Sequence, residues 1–353
     1  MPRYDDYDHE QFDRPRRHTR PRTKDRPTYE DAVDGRVVTV DRGRYTCLVD
    51  DRQVTAMKSR PLGRKGVVTG DLVRLVGDVS GADGSLARIV EVQPRTGVLR
   101  RTADDDDPVE RVIVANADQL VVVTALADPE PRRRLIDRAL VAAFDAGLRP
   151  LLCLTKADLA SPDELLAAYR PLGVDAVVTH RGGDLDELRG HLAGRVSVLL
   201  GHSGVGKSTL VNALVPGADR AIGHVNAVTG RGRHTSTSAV MLALPDADTT
   251  DAEPAGTIRG VGAAGADGSE PAGWIVDTPG IRSFGLAHVE PQRLIAAFPD
   301  LAELTGTCSR GCRHGHGEPE CGLDDAVADG RTDAVRVESF RRLLASREAG
   351  ESD

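Results

Sequence analysis

The sequence predicts a multidomain chain of three folded parts: a small N-terminal β-barrel, a central doubly wound α/β domain, and a helical C-terminal domain built around a metal. Three observations carry this. Short β-type runs separated by turn signals crowd residues 34–101. Buried-type strands alternate with helical periods across 109–288, the pattern of a parallel sheet with helical crossovers. Residues 289–353 then turn helical around a cluster of Cys and His.

The length of 353 residues accommodates several domains, and 40% apolar residues suffice for a core. With one Trp and five Phe, that core must be mostly aliphatic. The net charge of −8 argues against a generally basic nucleic-acid binder, but the charge is uneven. Residues 34–101 carry 13 basic and 8 acidic side chains, and residues 289–353 the reverse, so local fields rather than the total would guide a partner. Five Cys make no disulfide framework; Cys47 and Cys153 fall in expected strands and read as buried. No apolar leader and no long apolar run is present, which points to a soluble, cytoplasmic protein without membrane contact.

Residues 1–33 are polar, Pro- and Arg-rich, and read as a disordered tail. Within them, 14–26 hold seven Arg or Lys against one Asp, either a solubilising run or an electrostatic arm for RNA. In the barrel region, strands are expected at 36–40, 45–49, 72–76 and 87–92, with turns at 41–44 and 81–84. About five short strands in this length fit an OB-fold. OB barrels commonly stack bases on aromatic rings. Tyr45 is the only aromatic residue here, so contact with structured RNA backbone, or simple docking on another domain, is expected instead. In the central part, 119–125, 151–154, 176–179 and 196–200 read as buried parallel strands, 240–244 and 274–276 as further strands, and 132–146 and 162–169 as helices. Residues 246–273, rich in Asp, Ala, Gly, Thr and Pro, read as a flexible insertion. Helices are expected at 291–304 and near 332–345.

Chemistry enters between strand 196–200 and the helix after it. Gly201-His202-Ser203-Gly204-Val205-Gly206-Lys207-Ser208 is a G-x-x-x-x-G-K-S phosphate loop in the strand–loop–helix context it needs, with Thr209 opening the helix. Backbone N–H groups and the helix N-terminus would cradle phosphate, Lys207 would neutralise β/γ charge, and Ser208 would hold Mg²⁺. Thr155-Lys156-Ala157-Asp158 follows a buried strand. The Asp158 carboxylate can accept both guanine N1–H and N2–H₂, a donor pair adenine lacks, and the Lys156 stem would lie along the base. Asp277-Thr278-Pro279-Gly280 reads as a D-x-P-G switch, with Asp277 on Mg²⁺ through water and the Gly280 N–H sensing the γ-phosphate. The other switch fits 229–237, where Thr235, or alternatively Thr237, would complete the Mg²⁺ shell. Ile281 stands where many GTPases carry a water-orienting Gln, so slow intrinsic hydrolysis is expected, and His234 is the nearest candidate to replace it. The specificity motif comes first and the phosphate loop after it, the reverse of the ordinary arrangement, which implies a circularly permuted P-loop GTPase domain.

Near the C-terminus, Cys308-x3-Cys312-x-His314-x6-Cys321 supplies three thiolates and an imidazole, a closed tetrahedral set suited to one structural Zn²⁺, with His316 as an alternative to His314.

The permuted order, the N-terminal barrel, the 230–235 run Gly-Arg-Gly-Arg-His-Thr, Asp277-Thr278-Pro279-Gly280-Ile281 and the Cys/Cys/His/Cys cluster together resemble the RsgA (YjeQ) family of ribosome small-subunit-dependent GTPases, over about residues 34–345. The resemblance implies binding of GTP and GDP and of the 30S subunit late in its assembly, with hydrolysis stimulated by the ribosome and linked to release. It also implies that the OB-fold and zinc domain contact 16S rRNA, and that His234 matches the family's switch His. The chain departs from that pattern at Thr155, where Asn is usual, at the faint fifth motif Val178-Thr179-His180, in the spacing of the Cys cluster, and in its tail and insertion. A GTP hydrolase of 30S maturation is therefore expected, as a monomer. The alternatives are a non-catalytic GTP-binding scaffold on rRNA and a permuted GTPase of large-subunit assembly.

Overall fold

Strands β1 (Val33–Asp41), β2 (Arg44–Val49), β3 (Arg52–Lys58), β4 (Leu72–Gly77) and β5 (Ala87–Val92) close on themselves in the computed structural model, which describes residues 29–63, 66–101, 111–218, 239–245, 272–278, 286 and 289–348. Pairs β1–β2, β2–β3, β4–β5 and β1–β4 are antiparallel and β3–β5 is parallel, so the barrel has no open edge within itself. Alternation along each strand sends Val37, Cys47, Val54, Ala56, Val73, Leu75 and Ile89 inward. Four strands match the expected runs. The fifth, β3, is faint in sequence because its inward residues are only Val54 and Ala56. Tyr45 is buried in this core and offers no exposed ring for base stacking. Burial also pushes the Cys47 thiol up to about 12.

Residues 98–101 leave the barrel. Strand β6 (Val98–Arg101) pairs with β7 (Arg111–Ala115) in a separate two-stranded sheet. The seam beside it is tight. A Cβ on Gly70 would sit 2.0 Å from the Ala115 carbonyl oxygen, and Gly70 has φ +91°, so glycine is required there. Asn116 closes the seam, donating from Nδ2 to the Gly70 carbonyl at 2.9 Å and accepting the Thr96 N–H at 3.0 Å.

The main sheet contains β8 (Gln119–Ala125), β9 (Arg149–Thr155), β10 (Asp175–Val178), β11 (Val196–Leu200), β12 (Val240–Leu244) and β13 (Gly273–Asp277), in the order β10-β9-β8-β11-β13-β12. All neighbours are parallel except β12 against β13. Strands β8, β11 and β12 are buried along their whole length, which explains their largely apolar sequences. Beyond β12 the sheet continues into the barrel: Thr39 of β1 pairs with Val240, and Thr69 Oγ1 donates to the Ala239 carbonyl at 3.0 Å.

Helices α1 (Arg133–Asp145), α2 (Asp163–Tyr169), α3 (Asp186–Leu192) and α4 (Lys207–Leu214) cross between strands, and α5 (Pro291–Ala296), α6 (Pro299–Ala302), α7 (Gly322–Ala328) and α8 (Ala334–Glu348) follow. The single helix expected over 291–304 is broken. Pro299 has no N–H to donate and disfavours helical geometry at Phe298, which sits at φ −121°, ψ 78°. Phe298 instead packs between Phe144 and Phe340, with ring centroids 4.7 and 5.4 Å apart. Helix α1 is buried on all sides from Ile136 to Ala143, Asp137 and Arg138 included, because α8 covers the face turned away from the sheet. Arginines make that contact: Arg138 donates to the Ser346 carbonyl at 3.1 Å, and Arg342 stands 3.3 Å from Asp137 and donates to the Ala168 carbonyl at 3.1 Å. The tail up to residue 28, nearly all of the insertion, His234, Thr235 and Gly280 lie outside the described residues.

Candidate nucleotide and metal sites

In an open α/β sheet, ligands bind at the carboxyl ends of the strands where the strand order reverses. Here β8, β9, β11 and β13 end together, and each releases one loop of the site. The phosphate loop leaves β11 with Gly204 and Gly206 at φ +88° and +89°, and Lys207 opens α4. Val205 is buried and anchors the loop, whereas Ser203, Gly204, Ser208 and Thr209 are exposed. Gly201 is held against β8: a Cβ there would lie 2.7 Å from the Val123 carbonyl oxygen.

The specificity motif leaves β9. Thr155 Oγ1 donates to the Val205 carbonyl at 2.6 Å and so joins it directly to the phosphate loop. Lys156 takes φ +59° and hydrogen-bonds the Asp128 carbonyl. The Ala157 N–H donates to the Thr179 carbonyl at 3.2 Å, which sets the end of β10 beside the motif and places the faint 178–180 run there. Asp158 is exposed at the loop tip. From β13, Asp277 forms an ion pair with Lys207, both side chains largely shielded from solvent.

Two contributions were not visible in the sequence, one of them from a residue already inside a motif. The first is the loop after β8, where Asp128 meets Lys156 and Pro129 packs against Gly204. Its only signal is an Asp-Pro turn at the end of a buried strand. The second is Thr278, whose hydroxyl donates to the Leu199 carbonyl at 2.7 Å and fastens the start of the switch to β11. His202, inside the phosphate loop, donates from Nδ1 to the Ser203 carbonyl at 2.9 Å, since a carbonyl can only accept. Its Nε2 is buried without a partner among the described residues. Burial lowers its pKa below the ordinary histidine value, the Ser203 hydrogen bond opposes that, and the charge of Arg132 lowers it further, so the neutral imidazole is favoured.

The second cluster brings Cys308, Cys312, His314 and Cys321 together, with all donor atoms within 4.8 Å of one another. His314 Nδ1 lies 3.6, 3.5 and 4.0 Å from the three sulfurs in chain order. Zn–S bonds of about 2.3 Å and a Zn–N bond of about 2.0 Å in a tetrahedron require N···S edges of roughly 3.6 Å. The four residues therefore fit a tetrahedral metal ion and could hold one. His316 is outside the set, exposed and 3.5 Å from Glu338. Cys153 is buried in β9 with its thiol pushed up to about 12, and it takes no part.

Fold and site define a circularly permuted P-loop GTPase. A sequence model of the RsgA GTPase family matches residues 92–253. The small ribosomal subunit biogenesis GTPase RsgA of Ectopseudomonas mendocina is 42% identical over 243 residues, covering 66% of this chain and 63% of that protein. The protein of the same name from Pseudomonas aeruginosa strain LESB58 is 42% identical over 267 residues, 73% of this chain and 70% of its own length. YjeQ from Thermotoga maritima superposes with a TM-score of 0.59 at 25% identity, covering 90% of this chain and 99% of that one. YloQ, described as a circularly permuted GTPase, gives 0.59 at 22% identity over 92% and 98%, a likeness of fold. The chain belongs to the RsgA GTPase family. No helix among the described residues is long and apolar enough to cross a membrane.

Proposed function

We propose that this GTPase hydrolyses GTP in late maturation of the small ribosomal subunit, with turnover stimulated by the 30S particle and coupled to release from it. The observation that supports the nucleotide assignment is the Thr155–Val205 hydrogen bond, which joins the 155–158 loop to the 201–208 loop at one sheet end. The relatives named for small-subunit biogenesis carry the assignment of the process.

In this reading Asp158 reads guanine, and the 201–209 backbone cradles the phosphates. Lys207 exchanges Asp277 for phosphate oxygens when nucleotide binds, which frees the carboxylate for Mg²⁺ alongside Ser208 and Thr235. Mg²⁺ supplies neutralisation of the charge that builds on the transferred group. The Gly280 N–H senses the γ-phosphate, and His234 positions water in place of the missing Gln. Cys308, Cys312, His314 and Cys321 hold one structural Zn²⁺. The barrel and the metal-bearing segment contact 16S rRNA through its backbone, and the protein acts as a cytoplasmic monomer.

The test is turnover of GTP by the purified protein, alone and with isolated 30S subunits, with ATP as control. The expectation is stimulation by 30S with GTP only, abolished by His234→Ala while GTP binding persists. Tight binding without stimulated turnover would leave a scaffold role, and stimulation by 50S instead would move the protein to the other subunit.

A further inference from the structure

Around the four metal-ligating residues, one side chain makes contacts that packing alone does not require. Arg341, on α8, is 8% exposed. Its Nε donates to the carbonyl of His314 at 3.2 Å, and its Nη2 lies 3.7 Å from Cys321 Sγ, within hydrogen-bond reach of a sulfur. Two further donors go to Asp324, at 2.7 Å from Nη1 and 2.9 Å from Nη2. A second N–H···S contact comes from the backbone N–H of Gly322 to Cys308 Sγ at 3.1 Å.

The charge of the occupied site explains the arrangement. Three thiolates, a neutral imidazole and a divalent ion leave one net negative charge, in a cluster where Cys312, His314 and Cys321 are all buried. A buried charge of that kind is costly unless a cation and hydrogen-bond donors face it. Partners beyond the ligands also fix ligand orientation and tune how tightly a metal is held. We propose that Arg341 is the outer cation of the metal centre. It positions Cys321 and His314 and offsets the anionic charge of the thiolate set, while Asp324 holds its guanidinium in place. The proposal rests on the metal reading above. Neighbouring Arg342 is bound to Asp137 and Ala168, so the helix that carries this cation is also the helix locked onto α1 and α2.

The test uses the full chain loaded with zinc, and with cobalt as a spectroscopic probe. Zinc content of the wild-type protein checks the metal reading by itself. Arg341→Met and Arg341→Lys are then compared in competition with a chelator. Arg341→Met is expected to hold zinc about 10- to 100-fold more weakly, the effect typical of outer partners, with Arg341→Lys between it and the wild type. The cobalt forms supply a readout that loose packing would not move. Loss of the N–H···S contact raises the energy of the sulfur lone pair, so the thiolate-to-cobalt band of the variants should shift to longer wavelength. A folded Arg341→Met protein that keeps wild-type zinc retention and an unshifted cobalt band overturns the proposal. Should Arg341→Met not fold, Arg341→Lys decides: a protein indistinguishable from wild type in both measurements overturns it equally.

Discussion

Thr155 Oγ1 lies 2.6 Å from the carbonyl oxygen of Val205, and this contact joins the 155–158 loop to the 201–208 loop. A hydroxyl has one proton to give. The Thr124 carbonyl, at 3.3 Å, is the weaker acceptor, so the proton goes to Val205. Threonine is therefore a positioning residue here, with no donor left for the base. Thr155→Val keeps the shape and leaves the Val205 carbonyl unpaired in a buried setting, at a cost of roughly 1–3 kcal/mol. The expected result is weaker binding of fluorescent GDP together with a lower melting temperature. Unchanged binding in Thr155→Val would show that the two loops hold their positions without this bond.

Asp158 is exposed at the loop tip, free to meet a base edge. Replacing its carboxylate by an amide, Asp158→Asn, exchanges one acceptor for a donor. Guanine then loses a partner for its amino group, while xanthine, with a carbonyl at that position, gains one. GTP affinity should fall by about 100-fold or more and that of xanthosine triphosphate should rise, as read by competition against labelled nucleotide. A variant that still prefers GTP would remove Asp158 from base recognition.

Arg342 lies 5.0 Å over the Tyr169 ring and 3.3 Å from buried Asp137. Arg342→Ala removes the cation that stands against that carboxylate and leaves only the weaker field of Arg133. The expected loss is about 2–3 kcal/mol in urea unfolding, less than for a fully buried pair because the Arg342 side chain is partly exposed. Burial raises the Asp137 pKa despite the opposing attraction of Arg342. A carboxyl with a raised folded value binds its proton more tightly folded than unfolded. Its contribution to stability is present below the unfolded value of about 3.9 and declines as pH rises through the folded value. Asp137→Asn should flatten the pH dependence of stability in that window, and an unaltered profile would assign the slope to other groups.

His314 and His316 are two residues apart, yet only His314 lies among the sulfurs. His314→Ala should abolish stoichiometric zinc retention on dialysis, whereas His316→Ala should retain it and lose only the exposed contact with Glu338. The opposite outcome would move the ligand assignment to His316.

The parts legible in the sequence share a physical basis. Strands β5, β8, β11 and β12 stand at the expected residues because burial makes them continuous apolar runs or alternations bounded by turns. The phosphate loop is legible because its glycines and its Lys-Ser pair are adjacent in the chain. What was not legible depends on partners distant in sequence. Thr278 finds Leu199, Lys156 finds Asp128, and Arg342 finds Asp137, each across a stretch of chain with no local period to announce it. The break at Pro299 was available in principle, but the apolar spacing on either side of it reads as one helix.

The pairing of Thr39 with Val240, described as the join between barrel and sheet, has a bearing on solubility. Strand β12 runs Val-Met-Leu-Ala-Leu and is buried throughout. A shortened protein that began after the barrel would lose the strand that meets β12 at Val240 and uncover that end of the ribbon, the kind of sheet border on which foreign strands accumulate. The barrel thus guards its own chain against clumping, and trimming from the N-terminal side should bring precipitation before any loss of nucleotide chemistry.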